Sequence, residues 1–213
     1  MVYVINAGGV YKGWETPRWL SKINGEVLIE RTIRLLKENG VTDIYISSNS
    51  DMFDYIGEKR LVNVANSFIH ETKTEPREGY WIDAFAKLTI PVTYLYGDVY
   101  YSDECIKKIV ETPTDDILFF GAKKQLIKNW PEPFAFKVVN TQKFFNCIAK
   151  VKYYHSCHKF RRPHPISWDL WNVINGAPLD KGNFYGPKFI DIKDYTCDVD
   201  SPNDIAKIEA SIK

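Results

Sequence analysis

Two groups of residues in this chain have the types and spacing to handle phosphate chemistry. The first is a glycine turn, Ala7-Gly8-Gly9, closing the β-rich run Val2–Ala7 and followed by Lys12 and Gly13. Glycines there let backbone N–H groups approach phosphate oxygens, and Lys12 adds counter-charge. The turn matches neither the dinucleotide fingerprint nor the P-loop pattern. The second is Tyr96-Gly97-Asp98, where an aspartate follows the apolar run Val92–Tyr96. A carboxylate at the end of a buried strand stands where open α/β sheets place their ligands. Further on, Asp198 and Asp200 flank Val199; in extended chain, residues two apart project to the same side. A basic, aromatic stretch, His155–His164, runs into Ser167-Trp168-Asp169-Leu170-Trp171-Asn172. Arg161 and Arg162 suit an anionic partner, with Trp168 and Asp169 facing it. The histidines and Cys157 fit no common structural zinc spacing.

The elements that must position these residues follow from periodicity. Val2–Ala7 and Asp43–Ser47 read as strands around a helix whose apolar residues Leu28, Ile29, Ile33, Leu35 and Leu36 recur at helical spacing, with Gly40 at its C-cap. Strand, helix, strand over about 45 residues is a βαβ unit and implies parallel pairing. Val62–Ala65, Val92–Tyr96, Ile117–Phe120, Phe134–Val139 and Phe189–Ile192 read as further strands. Trp81–Leu88, Asp103–Val110, Gln142–Ala149, Ile166–Ile174 and Asn203–Ile212 read as helices. Thr72–Gly79 and His155–Pro165 are irregular, and stretches of that length inside a compact domain are more often binding loops than spacers. The expected architecture is one α/β domain over residues 1–213.

Composition narrows the function classes. The chain has 213 residues, 26% of them charged, with a formal net charge of +1. Near-neutrality argues against a nucleic-acid coat or a polybasic membrane binder. No apolar run reaches the roughly 20 residues of a bilayer span, and no signal peptide is visible, so a cytoplasmic protein is expected. Cys105, Cys147, Cys157 and Cys197 show no CxxC pairing and read as reduced packing residues.

The run Pro17-Arg18-Trp19-Leu20-Ser21-Lys22-Ile23-Asn24-Gly25-Glu26-Val27-Leu28-Ile29-Glu30 resembles the signature of the small nucleotidyltransferases that make nucleotide-diphosphate sugars and CDP-choline-like compounds. Their pattern is a Gly-rich turn after strand one, then Pro-Lys, then Gly-x-x-Leu-Ile opening the first helix. Here the lysine is Arg18 and the glycine turn is shortened. Arginine keeps the charge and adds a bidentate fork. The resemblance implies a three-layer Rossmann-like sandwich around a mostly parallel, mixed central sheet. It implies Mg²⁺ on Asp98 and Asp200, with Asp198 as the alternative ligand, and nucleotide contacts from Ala7, Gly8, Gly9, Lys12, Arg18 and Gly97. In Cys197-Asp198-Val199-Asp200-Ser201-Pro202-Asn203-Asp204 it leaves Asp204 as a first-turn carboxylate. Trp168, Asp169, Arg161 and Arg162 would line the acceptor pocket. Lys123, Lys124 and Lys137 compete for one reach toward the acceptor phosphate, with at least one of them simply solvated.

The implied reaction is transfer of CMP from CTP to a phosphorylated acceptor with release of pyrophosphate. Arg18, Lys12 and Asp98 would carry catalysis. The glycine turn, the Gly97-Asp98-Val99-Tyr100-Tyr101 strand end and the 160–172 segment are similar to the CTP:phosphoglutamine cytidylyltransferases of capsular polysaccharide phosphoramidate synthesis. That similarity implies L-glutamine phosphate as acceptor, giving CDP-L-glutamine, and a monomer or homodimer without nucleic-acid or membrane partners. Phosphocholine, for which Trp168, Trp171 and Tyr185 would form a cage, and sugar 1-phosphates are the alternatives. The Asp198-Val199-Asp200 pattern also suggests a GT-A-like glycosyltransferase. In that class, however, the motif follows the mid-chain strand, where this sequence has only Gly97-Asp98-Val99.

Overall fold

The structure is a computed structural model that describes residues 1–7, 14, 16–48, 56, 59–61, 82–159, 165–179 and 182–212. Eleven strands run along the described chain: β1 (Val2–Asn6), β2 (Lys22–Ile23), β3 (Glu26–Val27), β4 (Ile44–Ser47), β5 (Lys59–Leu61), β6 (Val92–Tyr96), β7 (Val99–Tyr100), β8 (Ile117–Ala122), β9 (Glu132–Val138), β10 (Phe189–Asp191) and β11 (Cys197–Asp198). The helices are α1 (Leu28–Glu38), α2 (Asp103–Glu111), α3 (Thr141–Ser156), α4 (Ser167–Ile174) and α5 (Pro202–Ser211).

Seven strands form one sheet in the order β10-β8-β9-β6-β1-β4-β5. β9 pairs antiparallel with both β6 and β8, while the other neighbours are parallel. The side-chain period of two divides each strand between two cores. Tyr3, Ile5, Leu95 and Phe120 face α1 and α2 in one apolar cluster. Val4, Tyr94, Phe119 and Phe136 face α3 and α4 in a second, aromatic cluster with Phe144, Trp168 and Trp171. Helices on both faces of a mostly parallel sheet make the expected three-layer sandwich. Cys105 and Cys147 lie inside these clusters, Cys197 in a third, and Cys157 is exposed.

The topology sets the functional edge. From β1 the chain winds outward to β4 and β5, then returns to place β6 on the other side of β1. The reversal makes a switch point at the carboxyl ends of β1 and β6, where such sheets bind ligands. Gly97 is held there by close packing: a Cβ at this position would sit 2.6 Å from the Asn6 carbonyl oxygen.

Several expectations need correction. In place of a helix over Trp81–Leu88, the structure has one 3₁₀ turn, Ile82–Ala84. Tertiary contacts override the local pattern there: the Tyr94 hydroxyl donates to the Ala86 carbonyl at 2.5 Å, and Phe85 packs edge-on to Tyr94, Phe136 and Phe144. Helix α3 continues to Ser156, so the stretch expected to be irregular from His155 begins inside a helix. The strand expected at Val62–Ala65 and the loop Thr72–Gly79 lie outside the described residues; the strand found before them is β5.

Candidate functional site

A two-stranded ribbon delivers the carboxylates to one another. β7 and β11 pair antiparallel, with Cys197 opposite Tyr100 and Asp198 opposite Val99. The Val199 amide donates to the Asp98 carbonyl at 2.8 Å. Asp98, at the end of β6, is thereby fixed beside the segment Asp198–Asp200, about one hundred residues away in sequence. Tyr101 anchors the β6 end from below: its hydroxyl accepts from the Tyr96 amide at 3.0 Å and donates to the Phe134 carbonyl at 2.6 Å.

Arg18 lies across these carboxylates. It starts the short 3₁₀ turn Arg18–Leu20, after Pro17 has set the entering backbone, and its side chain is only 6% exposed. One guanidinium nitrogen, Nη2, meets Asp98 Oδ2 at 2.7 Å; the other, Nη1, donates to Asp200 Oδ1 at 2.8 Å and to the Val199 carbonyl at 3.1 Å. The fork geometry of arginine lets one side chain bridge two carboxylates.

A second cation was not evident from sequence. Lys128 has a fully buried side chain, and its ammonium lies 2.8 Å from Asp198, 2.9 Å from Asp200 and 3.1 Å from Asp204. Burial works against its charge, but hydrogen bonds and attraction from Asp198 and Asp200 outweigh that and raise its pKa. Asp204 is more than a first-turn carboxylate. Its Oδ2 accepts from the Asp200 and Ser201 amides at 3.1 and 2.9 Å, so it clamps the turn into α5 as well as meeting Lys128. The Lys128 signal was weak because a lysine between Ile127 and Asn129 reads as solvated surface.

The charges fit a divalent cation. With Asp98, Asp198, Asp200 and Asp204 ionised against Arg18 and Lys128, two negative charges remain in excess. Asp198 Oδ1 is buried and has no hydrogen-bond partner among the described residues, which is costly unless a ligand satisfies it. Burial and the neighbouring Asp200 push the Asp198 carboxyl up to about 7. Partial burial opposes ionisation of Asp200, but the neighbouring Asp198 takes the proton in preference and the charges of Lys128 and Arg18 hold the Asp200 carboxyl down. Among the described residues no three His, Cys, Asp or Glu side chains form a metal cage by themselves. The carboxylates of Asp98, Asp198 and Asp200 are hard oxygen donors, the ligand type that divalent cations such as Mg²⁺ take together with substrate phosphates.

A cavity of about 400 Å³ opens beside this cluster, lined by Asp98, Asp198 and Asp200 together with Tyr96, Ser167 and Trp168. The Tyr96 and Ser167 hydroxyls are hydrogen-bonded to each other. Trp168 is held by edge contacts with Phe119 and Tyr185. Glu132, the first residue of β9, lines the same cavity. It sits between Pro131 and Pro133 and pairs with Ala122, while Pro133 pairs with Gly121 at the register shift Phe120/Gly121 in β8, which admits a proline inside a paired strand. A glutamate flanked by prolines ahead of an apolar run was the available sequence signal.

The remaining expected residues are dispersed. Asp169 is buried and accepts the Ile166 amide at 2.7 Å, tying the start of its own helix; it does not border the cavity, whereas its neighbour Trp168 does. Trp171 is fully buried and donates to the Phe184 carbonyl, so it packs rather than cages. Lys137 points to the opposite end of the sheet, where its ammonium donates to the carbonyls of Ile109, Val110 and Thr112 at 3.0, 2.9 and 2.7 Å. It caps the end of α2 and is removed from any acceptor role. Lys123 and Lys124 are exposed. Ala7 is buried at the end of β1, with its amide on the Ser47 carbonyl. Gly8, Gly9, Lys12, Arg161 and Arg162 lie outside the described residues.

No protein-family model matches the chain, and no curated protein matches it in sequence. Solved structures do. The chain is similar to the CTP:phosphocholine cytidylyltransferase of Streptococcus pneumoniae, with 14% identity and a TM-score of 0.56 over 100% of this chain and 99% of that one. It is similar to a 4-diphosphocytidyl-2C-methyl-D-erythritol synthase of Anaerococcus prevotii, with 12% identity and a TM-score of 0.58 over 99% and 97% of the two chains. The inositol-1-phosphate CTP transferase of T. maritima aligns with 16% identity and a TM-score of 0.55 over 98% and 95%. These likenesses establish the fold.

Proposed function

We propose that this protein is a nucleotidyltransferase that moves CMP from CTP to a small phosphorylated acceptor and releases pyrophosphate. The observation that carries this reading is the convergence of Asp98, Asp198 and Asp200 at the switch point of the sheet, with Arg18 bridging Asp98 and Asp200, beside a cavity that Tyr96 and Trp168 also line. Three similar structures that handle cytidine nucleotides support it.

In this reading an acceptor phosphate oxygen attacks the α-phosphorus of CTP. The new P–O bond forms as the bond to the β-phosphate bridging oxygen breaks, and pyrophosphate leaves with that electron pair. A phosphomonoester is largely dianionic at pH 7, so no side chain has to remove a proton. The protein's share is alignment and charge. Asp98, Asp200 and Asp198 would hold Mg²⁺, which when bound neutralises charge on the phosphates and orients them. Arg18 fixes the spacing of Asp98 and Asp200 and carries positive charge at the edge of the nucleotide path. Lys128 keeps Asp198, Asp200 and Asp204 together without occupying the cavity. By resemblance, Gly8, Gly9 and Lys12 would contact the triphosphate. By resemblance the acceptor is L-glutamine phosphate, and the product, CDP-L-glutamine, would serve capsular polysaccharide modification.

Pyrophosphate release, measured with Mg²⁺ over the four nucleoside triphosphates crossed with phosphoglutamine, phosphocholine and sugar 1-phosphates, tests this reading. A signal with CTP and one acceptor class is the expected result. Asp98→Asn should lower turnover about 10²–10³-fold by removing one of the few charges at the reacting phosphate. Near-normal turnover in that variant would remove the site assignment. Release of a nucleoside phosphate in place of pyrophosphate would indicate the glycosyltransferase reading.

A further inference from the structure

The acceptor end of the cavity carries more acid than the phosphate chemistry uses. Asp98, Asp198 and Asp200 are each tied to Arg18 or Lys128. Glu132 is not: among the described residues its side chain makes no hydrogen bond or ion pair, although it lines the cavity with Tyr96, Trp168 and Asn183. No lysine or arginine is among the described residues lining this space. A half-buried carboxyl without a partner is unfavourable in the empty protein, and the aromatic residues Trp168 and Tyr96 line the same cavity.

We infer that Glu132 selects the acceptor by pairing with a positively charged group on it, so that the substrate is a phosphomonoester bearing an ammonium or quaternary ammonium. This inference rests on the nucleotidyl-transfer reading for the identity of the cavity as the acceptor site. The complement is chemical: a cation would be balanced by the carboxylate in a cavity that aromatic residues also line. Aspartate at position 169, the nearer candidate by sequence, is committed to the Ile166 amide and lies off the cavity. A neutral polyol such as a sugar could donate hydroxyl hydrogen bonds to Glu132 but brings no charge to balance it. An acceptor carrying both carboxylate and ammonium, such as an amino-acid phosphate, would place its ammonium at Glu132.

Isothermal titration tests the inference without turnover. Choline phosphate, ethanolamine phosphate and glycerol 3-phosphate are titrated onto the full-length wild-type protein and onto Glu132→Gln and Glu132→Asp. The wild type should bind at least one of the two cationic phosphates tenfold or more tighter than glycerol phosphate. In Glu132→Gln that ratio should fall at least tenfold, and in Glu132→Asp, which keeps the charge, it should be partly retained. Equal affinity for cationic and neutral phosphates in the wild type would overturn the inference, as would an unchanged ratio in Glu132→Gln or binding of none of the three. The pyrophosphate assay separates the two readings. Selective binding without turnover would sink nucleotidyl transfer alone, and turnover of sugar or glycerol phosphates as fast as cationic ones would sink the Glu132 assignment alone.

Discussion

Replacing Lys128 with methionine keeps the volume of a fully buried side chain while deleting the charge that three aspartates share. Removing one partner of a buried ion pair costs about 3–5 kcal/mol, because the other charges stay behind without compensation. Asp200 is 54% exposed and water screens its share, whereas Asp198 and Asp204 are each 7% exposed. The lower end, about 3 kcal/mol, is therefore the expected loss near pH 8, equivalent to a melting temperature about 6–12 °C lower for a chain of this size. The deficit depends on pH with a definite sign. Without Lys128 the Asp198 carboxyl, raised by burial even in the wild type, rises further above its unfolded value of about 3.9. The folded variant then binds more protons than the unfolded chain, so its stability falls as pH rises above the unfolded value, until the raised folded pKa is passed. Thermal melts followed by circular dichroism at pH 5.5 and 8 should show the larger deficit at pH 8. Lys124→Met, at an exposed lysine, should shift stability by no more than about 0.5 kcal/mol. A Lys128→Met melt within 1 °C of wild type at pH 8, or a deficit equal at both pH values, would refute the reasoning.

Two structural predictions accompany it. Lys137→Met should destabilise the protein by about 2–4 kcal/mol by stripping a charged donor from three carbonyls at the end of α2, and it should speed amide exchange across residues 106–112. Exchange there at the wild-type rate would show that Lys137 is not the cap. Gly97→Ala forces a Cβ to within 2.6 Å of the Asn6 carbonyl, so β1 and β6 must separate at their ends. A loss of about 1–3 kcal/mol is expected, read as a lower urea midpoint, and an unshifted midpoint would show that this packing yields freely.

The sequence determined what the period of its side chains could encode. Val4 against Tyr3 and Ile5, and Phe119 against Phe120, specify a sheet buried on both faces, and the spacing of Leu28, Ile29, Ile33 and Leu36 specifies the helix over it. Asp98 was legible because it ends a strand at Gly97, and Asp200 because it precedes Ser201-Pro202. Tertiary structure alone decided which charges meet. Nothing local ties Arg18 to Asp200, 182 residues away, or aims Lys128 inward while Lys124 stays in water. These pairings depend on the β7–β11 ribbon and on strand order, which are long-range properties. Lys137 and the 82–88 segment were misread for the same reason. A lysine looks solvated until three carbonyls converge on it, and a short helical pattern yields when Tyr94 takes the carbonyl of Ala86. Glu132 became visible only when β9 carried it into a cavity whose other walls come from residues 96–99, 166–168 and 198–200.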